Sequence, residues 1–180
     1  MVLMIASDLH GSAYWTKRLL DAFRREGAQR LLLLGDLLDG DAADPGEDEN
    51  IPGVAEQLNA VADRIIAVRG NCDIPEDQML LYFPMMADHL SMEVNGLHLY
   101  VTHGHLWTEA SKREMEKASV IVYGHTHIPE CGRHEARLSV NPGSAALPRA
   151  GSVRSYVILR GKTFIWKSLD GTAYQSYTAD

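Results

Sequence analysis

Cysteine is scarce in this 180-residue chain: Cys72 and Cys131 are its only two. Two are too few for a disulfide framework, and a reducing cytoplasm, the expected compartment, keeps both as thiols. Long apolar runs are lacking as well. No stretch reaches the roughly 18 to 20 residues that a membrane-spanning helix needs, and the opening MVLMIAS is too short for a signal-peptide core and has no basic segment before it. The expectation is a cytoplasmic protein with no membrane partner. Positive charge is also in deficit, with 17 Lys and Arg against 24 Asp and Glu and a net charge of -7. That balance argues against a protein that grips long nucleic acid by neutralising phosphates. Much of the excess is local, because DGDAADPGEDEN (39–50) reads as an exposed, solvated loop and lacks the ordered spacing of a calcium loop.

What is present is an ordinary globular composition, 46% apolar and 23% charged, without repeats, low-complexity tracts or linkers. It fits one domain spanning residues 1–180. Short apolar runs alternate with helical periodicity. VLMIASD (2–8), RLLLLGD (30–36) and RIIAVRG (64–70) read as buried strands, and the segments 15–26 and 54–62 between them place their apolar residues on one helix face. This is a βαβαβ start with parallel pairing. Farther on, Asn95-Gly96 divides two alternating segments within 89–104, a strong hairpin signal. A short helix is expected over 109–118, a strand over 119–124 and a second hairpin around Arg160-Gly161-Lys162. The whole is mixed α/β, with two β-layers packed face to face and helices outside.

The apolar runs end in residues that are unusual for strand termini: Asp8 and His10, Asp36, Asn71, His103, and then His125 and His127. Each alone has an ordinary reading. His10 suits a hydrogen-bonded loop, Asp36 after Gly35 suits a turn or helix cap, and GHTH suits a polar turn with unrelated imidazoles. Ligands nevertheless bind beyond the carboxyl ends of strands in α/β sheets, where such tips can converge. Carboxylates and imidazoles gathered at buried strand ends are costly unless something pairs with them. Seven oxygen and nitrogen donors exceed the needs of a single ion. The mixture suits borderline-hard divalent cations, with Mn²⁺ the first choice and Fe²⁺, Ni²⁺, Zn²⁺ and Mg²⁺ as alternatives.

The ordered set DLH, LGD, RGNCD, THGH and YGHTH, with NPGS at 141–144, resembles the calcineurin-like metallophosphoesterase superfamily and, within it, the small bacterial YfcE-type phosphodiesterases. The resemblance covers essentially the whole chain. It implies a four-layer α/β sandwich, two mixed β-sheets packed face to face and flanked by helices, with two metal ions in a crevice at the sheet edge. By position, Asp8, His10 and His127 would hold one ion and Asn71, His103 and His125 the other, with Asp36 between them. The implied reaction is hydrolysis of a small phosphodiester by a hydroxide held between the two ions. A non-catalytic scaffold of the same fold, as in the retromer subunit, and a phosphomonoesterase are the alternatives. Homo-oligomerisation stays open.

One position departs from the pattern. Many members of the superfamily have His directly after the Gly-Asn pair, where it works with an acidic residue to protonate the leaving oxygen. Here that position is Cys72, with Asp73 as the acidic neighbour. A thiol of pKa about 8.5 is mostly protonated at neutral pH and donates only a weak hydrogen bond. Cys72 also reads as a small accommodated residue or, less readily, as a metal ligand. His105, two residues beyond His103, is a candidate for lining the pocket and touching substrate.

Overall fold

The computed structural model describes residues 1–39, 50–106, 108, 112–113, 115–134 and 137–180. Two sheets form its centre. The first has six strands in the order β11-β10-β9-β1-β2-β3 and the second has five in the order β4-β5-β6-β8-β7. β1 (Val2–Ala6), β2 (Arg30–Leu33) and β3 (Ile65–Ala67) run parallel, and β9 (Ser155–Arg160) joins β1 from the other side in antiparallel register. In the second sheet β4 (His89–Val94) and β5 (Leu97–Thr102) form the expected Asn95-Gly96 hairpin, while β5, β6 (Val120–Val122) and β8 (Arg137–Pro142) are mutually parallel. Both sheets are therefore mixed, as expected.

Alternation along the central strands explains the layering. Leu3, Ile5, Leu32, Leu34, Val157 and Leu159 face the second sheet, where they meet Leu99, Val101, Val120, Val122 and Val140. Their neighbours Met4, Ala6, Leu31, Leu33, Tyr156 and Ile158 face away, against Leu19, Phe23, Val54 and Leu58. Strands buried on both faces need apolar residues at every position, which is why their sequences run rather than alternate. The helices on the outer face are α1 (Ala13–Arg25) and α2 (Ile51–Asn59). α1 begins two residues before the apolar periodicity shows, because Ser12 caps it by accepting from the Trp15 amide at 3.3 Å. Full burial of Phe23 contributes about 1.5–3 kcal/mol toward holding this layer in place.

Part of the helix expected over 109–118 lies outside the described residues. The Lys112 amide donates to Thr108 O and the Glu116 amide to Lys112 O, which is helical spacing. Residues 40–49 of the acidic loop also lie outside them. Two edge elements escape the sequence pattern. β7 (Pro129–His134), paired antiparallel with β8, carries Pro, Glu and Arg, and β11 (Ala173–Thr178), beside β10 (Thr163–Ser168), is exposed at five of its six positions. Edge strands need no buried apolar face, so neither alternates. Among the described residues no helix is long and apolar enough to cross a membrane.

Candidate metal centre

The strand tips do meet. The Asp8 amide donates to Gly35 O at 3.1 Å, and the amides of Leu9 and His10 donate to Asp36 O at 2.9 and 3.0 Å, so the segment after β1 is laced to the segment after β2. Across the sandwich, the His125 amide donates to Asp8 Oδ2 at 3.3 Å. Seven non-glycine residues among those described have φ above zero, and five of them are Asp8, His10, Asp36, His125 and His127. Left-handed backbone is costly for residues with a Cβ and persists where the surroundings over-determine it. Here it turns consecutive polar side chains into one crevice. Close approach is also enforced by glycine: a Cβ on Gly70 would overlap Asp36 Oδ1, and one on Gly124 would overlap Ser7 Oγ.

Two clusters result. In the first, His127 Nε2 lies 3.3 Å from Asp8 Oδ1 and 3.3 Å from His10 Nε2, which is itself 3.8 Å from Asp8 Oδ1. In the second, His103 Nε2 lies 3.0 Å from Asn71 Oδ1 and 3.2 Å from Asp36 Oδ2, with the His125 ring 5.0 Å from the His103 ring. Asp8, His10 and His127 can offer donor atoms to one point, and so can Asp36, His103 and His125. Asp36 Oδ2 is also 3.9 Å from His10 Nε2, between the clusters.

The outer hydrogen bonds fix which atoms face inward. His103 Nδ1 donates to Leu34 O at 2.7 Å and His127 Nδ1 to Leu147 O at 2.6 Å. Each ring then turns Nε2 to the crevice, the arrangement that outer partners give to metal-ligating histidines. His103 Nε2 looks at the oxygens of Asn71 and Asp36, and His127 Nε2 at Asp8 Oδ1 and His10 Nε2. Asp8 Oδ1 is buried and has no hydrogen-bond partner. Converging carboxylate, amide and imidazole ligand atoms around an unpartnered carboxylate oxygen fit a cation.

Charge within the crevice says the same. Burial alone would raise the Asp8 pKa, but the imidazoles of His10, His127 and His103 draw it well below the carboxylate range. Asp36 is likewise lowered against the effect of burial, chiefly by His103. In return His10 and His103 are raised, burial opposing the shift and Asp8 and Asp36 driving it. Protons on imidazoles are the only counter-charge available to these carboxylates, since no Lys or Arg pairs with Asp8 or Asp36 among the described residues. Divalent cations would displace those protons.

Around this centre the structure redistributes several expected roles. His105 stands with its ring 5.3 Å from His103 and 6.3 Å from His125, and its buried Nδ1 has no partner. Cys72 is half-buried, accepts from Asn71 Nδ2 at 3.1 Å through Sγ, and donates its amide to Asp36 Oδ1 at 2.9 Å. Burial, then Asp36 and Asp39, push its thiol pKa far up, so it is neutral.

Asp73, expected as the acidic neighbour of Cys72, turns instead to the main chain: it accepts from the amides of Asp36 (2.8 Å), Gly70 (2.7 Å) and Leu37 (2.9 Å). A carboxylate with three backbone donors has little left for a thiol. The carboxylate beside Cys72 is Asp39, which reads in the sequence as the start of a solvated loop yet lies 3.6 Å from His10 Nδ1 and within reach of a site shared with Cys72. Its place three residues after Asp36, at the end of the same apolar run, is the signal that sequence reasoning passed over. Two further residues brace the centre. Asn141 Nδ2 donates to Gly124 O at 2.8 Å and Ser144 Oγ to Asp8 O at 2.7 Å, so NPGS supports the loops that carry the histidines.

Residues 1–163 match the model of the calcineurin-like phosphoesterase superfamily domain. The chain belongs to that superfamily. Membership makes it a phosphoesterase built on a two-sheet α/β sandwich. It is 42% identical over 160 residues to the phosphodiesterase YfcE of Escherichia coli strain K12, covering 88% of this chain and 87% of that one. The solved structure of the E. coli phosphoesterase YfcE superposes with a TM-score of 0.88 at 37% identity over 100% of both chains. Vps29 from Entamoeba histolytica, complexed with Zn²⁺, superposes with a TM-score of 0.67 over 99% of both chains, but at 18% identity it shares the fold alone.

Proposed function

We propose that this protein hydrolyses small phosphodiesters with two divalent cations. Asp8, His10 and His127 would hold one and Asn71, His103 and His125 the other, with Asp36 between the two clusters. The observation that carries the reading is the convergence of ligand atoms from Asp8, His10 and His127 and from Asp36, His103 and His125, with Asn71 Oδ1 beside His103 Nε2 and a buried Asp8 Oδ1 that has no hydrogen-bond partner. Its relationship to a phosphodiesterase over most of the chain supports the same substrate class. Mixed oxygen and nitrogen donors make Mn²⁺ the first choice. Ions bound there supply Lewis-acid polarisation of the phosphoryl group and acidify water at neutral pH.

The chain's own residues do the rest. His103 and His127 are held in one ring orientation by Leu34 O and Leu147 O. Asp8 and Asp36 stay ionised throughout the physiological range. His105, at the edge of the second cluster, contacts the phosphoryl group. Cys72 stands where a proton donor would assist departure of the leaving group. A neutral thiol held up by two carboxylates is a poor acid, which favours diesters whose leaving oxygen is already stable.

Metal-depleted protein should be inactive on an activated aryl phosphodiester, gain turnover with Mn²⁺, and lose it in excess chelator. A metal-replete protein with no turnover would favour a scaffold. Faster turnover of the matching monoester would make it a phosphomonoesterase.

A further inference from the structure

The structure assigns to Asp73 the part of a positioning residue: its carboxylate clamps the loop that carries Asp36 to the loop that carries Asn71, and so sets the site of the second cation. This rests on the metal assignment above and goes beyond it. Asp73 is 4% exposed, and its two oxygens take up three main-chain donors from two separate loops. Buried backbone N–H groups outside sheets and helices need such a partner. The loops approach so closely that a Cβ on Gly35 would overlap Gly70 N, which no pair of ordinary residues would allow.

The consequence reaches the ligands through one further bond. With the 70–72 segment held in place, the Cys72 amide donates to Asp36 Oδ1 at 2.9 Å. That leaves Oδ2 turned toward His103 Nε2 at 3.2 Å and His10 Nε2 at 3.9 Å, between the two clusters. The same segment aims Asn71 Oδ1 at His103 Nε2. Asp8 and His10 reach the clamped pair of loops only through Gly35 O and Asp36 O on the β2 side, and His127 is held by Leu147 O, whereas Asn71, which belongs to the second cluster alone, directly follows Gly70, whose amide Asp73 holds. Loss of the clamp therefore strikes the two cation sites unequally.

Titration of metal-depleted protein with Mn²⁺ alone, followed by calorimetry, tests this. Asp73→Asn keeps one oxygen and opposes an amide NH₂ to at least one buried N–H. The wild type should take up two ions. The variant should take up one with near-wild-type affinity and the other about 10 to 100 times more weakly, the loss typical of outer-shell partners. Tyr156→Phe, which removes a hydrogen bond to Glu26 beside α1, is the control for stability loss alone and should titrate like the wild type. If Asp73→Asn binds both ions as the wild type does, the clamp is overturned while the metal assignment stands. Equal weakening at both sites overturns it as well, and a wild type that takes up no Mn²⁺ removes both readings. Amide exchange on the metal-depleted wild type gives a measurement that needs no variant. The Asp36, Leu37 and Gly70 amides should be protected before any metal is added, and rapid exchange there would overturn a preformed clamp.

Discussion

At the end of the sheets where β1 begins, Met1, Asn95 and Gly161 come together: Asn95 Oδ1 accepts from the N-terminus at 3.0 Å, and its Nδ2 donates to Met1 O and Gly161 O. Asn95, Gly96 and Gly161 have positive φ there, as tight hairpin turns require, and a Cβ on either glycine would meet nothing. At the opposite end, where β1 stops, positive φ falls on Asp8, His10, Asp36, His125 and His127, of which only His125 is exposed, among loops too close for a Cβ. Charge differs in the same way. The C-terminus of α1 places Glu26 against Lys167 and the Tyr156 hydroxyl, a carboxylate with its own cation. Asp8 at the other end is more deeply buried and has imidazoles instead. One end satisfies its local geometry and charge from within, whereas the other gathers carboxylates beside imidazoles with no Lys or Arg paired to them among the described residues, the difference that makes it the working end in the proposed reading.

The largest effect is expected from removing the shared carboxylate. Asp36→Asn should reduce kcat by more than the roughly 10- to 100-fold that outer partners typically cost, with a native-like circular dichroism spectrum. Turnover that survives would show the ligand assignment to be wrong. The comparison is then sharpened by placing one substitution at both ends. Gly70→Ala puts a methyl group onto Asp36 Oδ1 and should abolish Mn²⁺-dependent turnover. Gly96→Ala strains only an exposed turn of φ 80°, at a cost of about 1–2 kcal/mol in urea unfolding, with activity per folded molecule unchanged. Equal losses of activity would dissolve the distinction between the two ends.

How much of this was legible beforehand follows from what each feature asks of the sequence. The central strands were readable because burial on both faces demands continuous apolar runs, and the gathering of polar side chains at their ends because each run stops in a carboxylate, amide or imidazole. β7 and β11 were not, since an edge in contact with water imposes no period on its side chains. Asp39 was hidden by its company, one acid among six in an acidic stretch, although only three residues separate it from Asp36. The contacts of Asp73 were hidden as well. Its partners are backbone amides, which every residue carries, so nothing in the sequence distinguishes Leu37 or Gly70 as a donor.

A smaller and more selective change is expected at Cys72, the one place where the working end holds a group of little acidity. Cys72→His restores an imidazole beside Asp39 and Asp36. It should raise turnover of diesters with poor leaving groups, up to about 10²-fold, the lower range of general acid assistance, and leave activated aryl diesters nearly unchanged. The measurement is the slope of log kcat against leaving-group pKa, which should flatten. An unaltered slope would mean that leaving-group departure never depended on this position.

The smallest effect is expected at the self-sufficient end and concerns stability alone. Burial would raise the Glu26 pKa, but Lys167 and Tyr156 lower it below its ordinary value of 4.5 in the folded protein. A carboxylate depressed by folding stabilises the native state fully above its unfolded pKa, and that contribution is lost as pH falls through the folded one. Glu26→Gln should therefore be less stable than the wild type at pH 7, and the difference should shrink steadily below about pH 4.5 in urea unfolding series. Mn²⁺ added to saturation should raise the stability of both proteins by the same amount, because ligation at one end adds independently to an ion pair at the other. A Glu26→Gln variant that also lost its metal-dependent stabilisation would show the two ends to be coupled, and the contrast between them would have to be redrawn as one connected network.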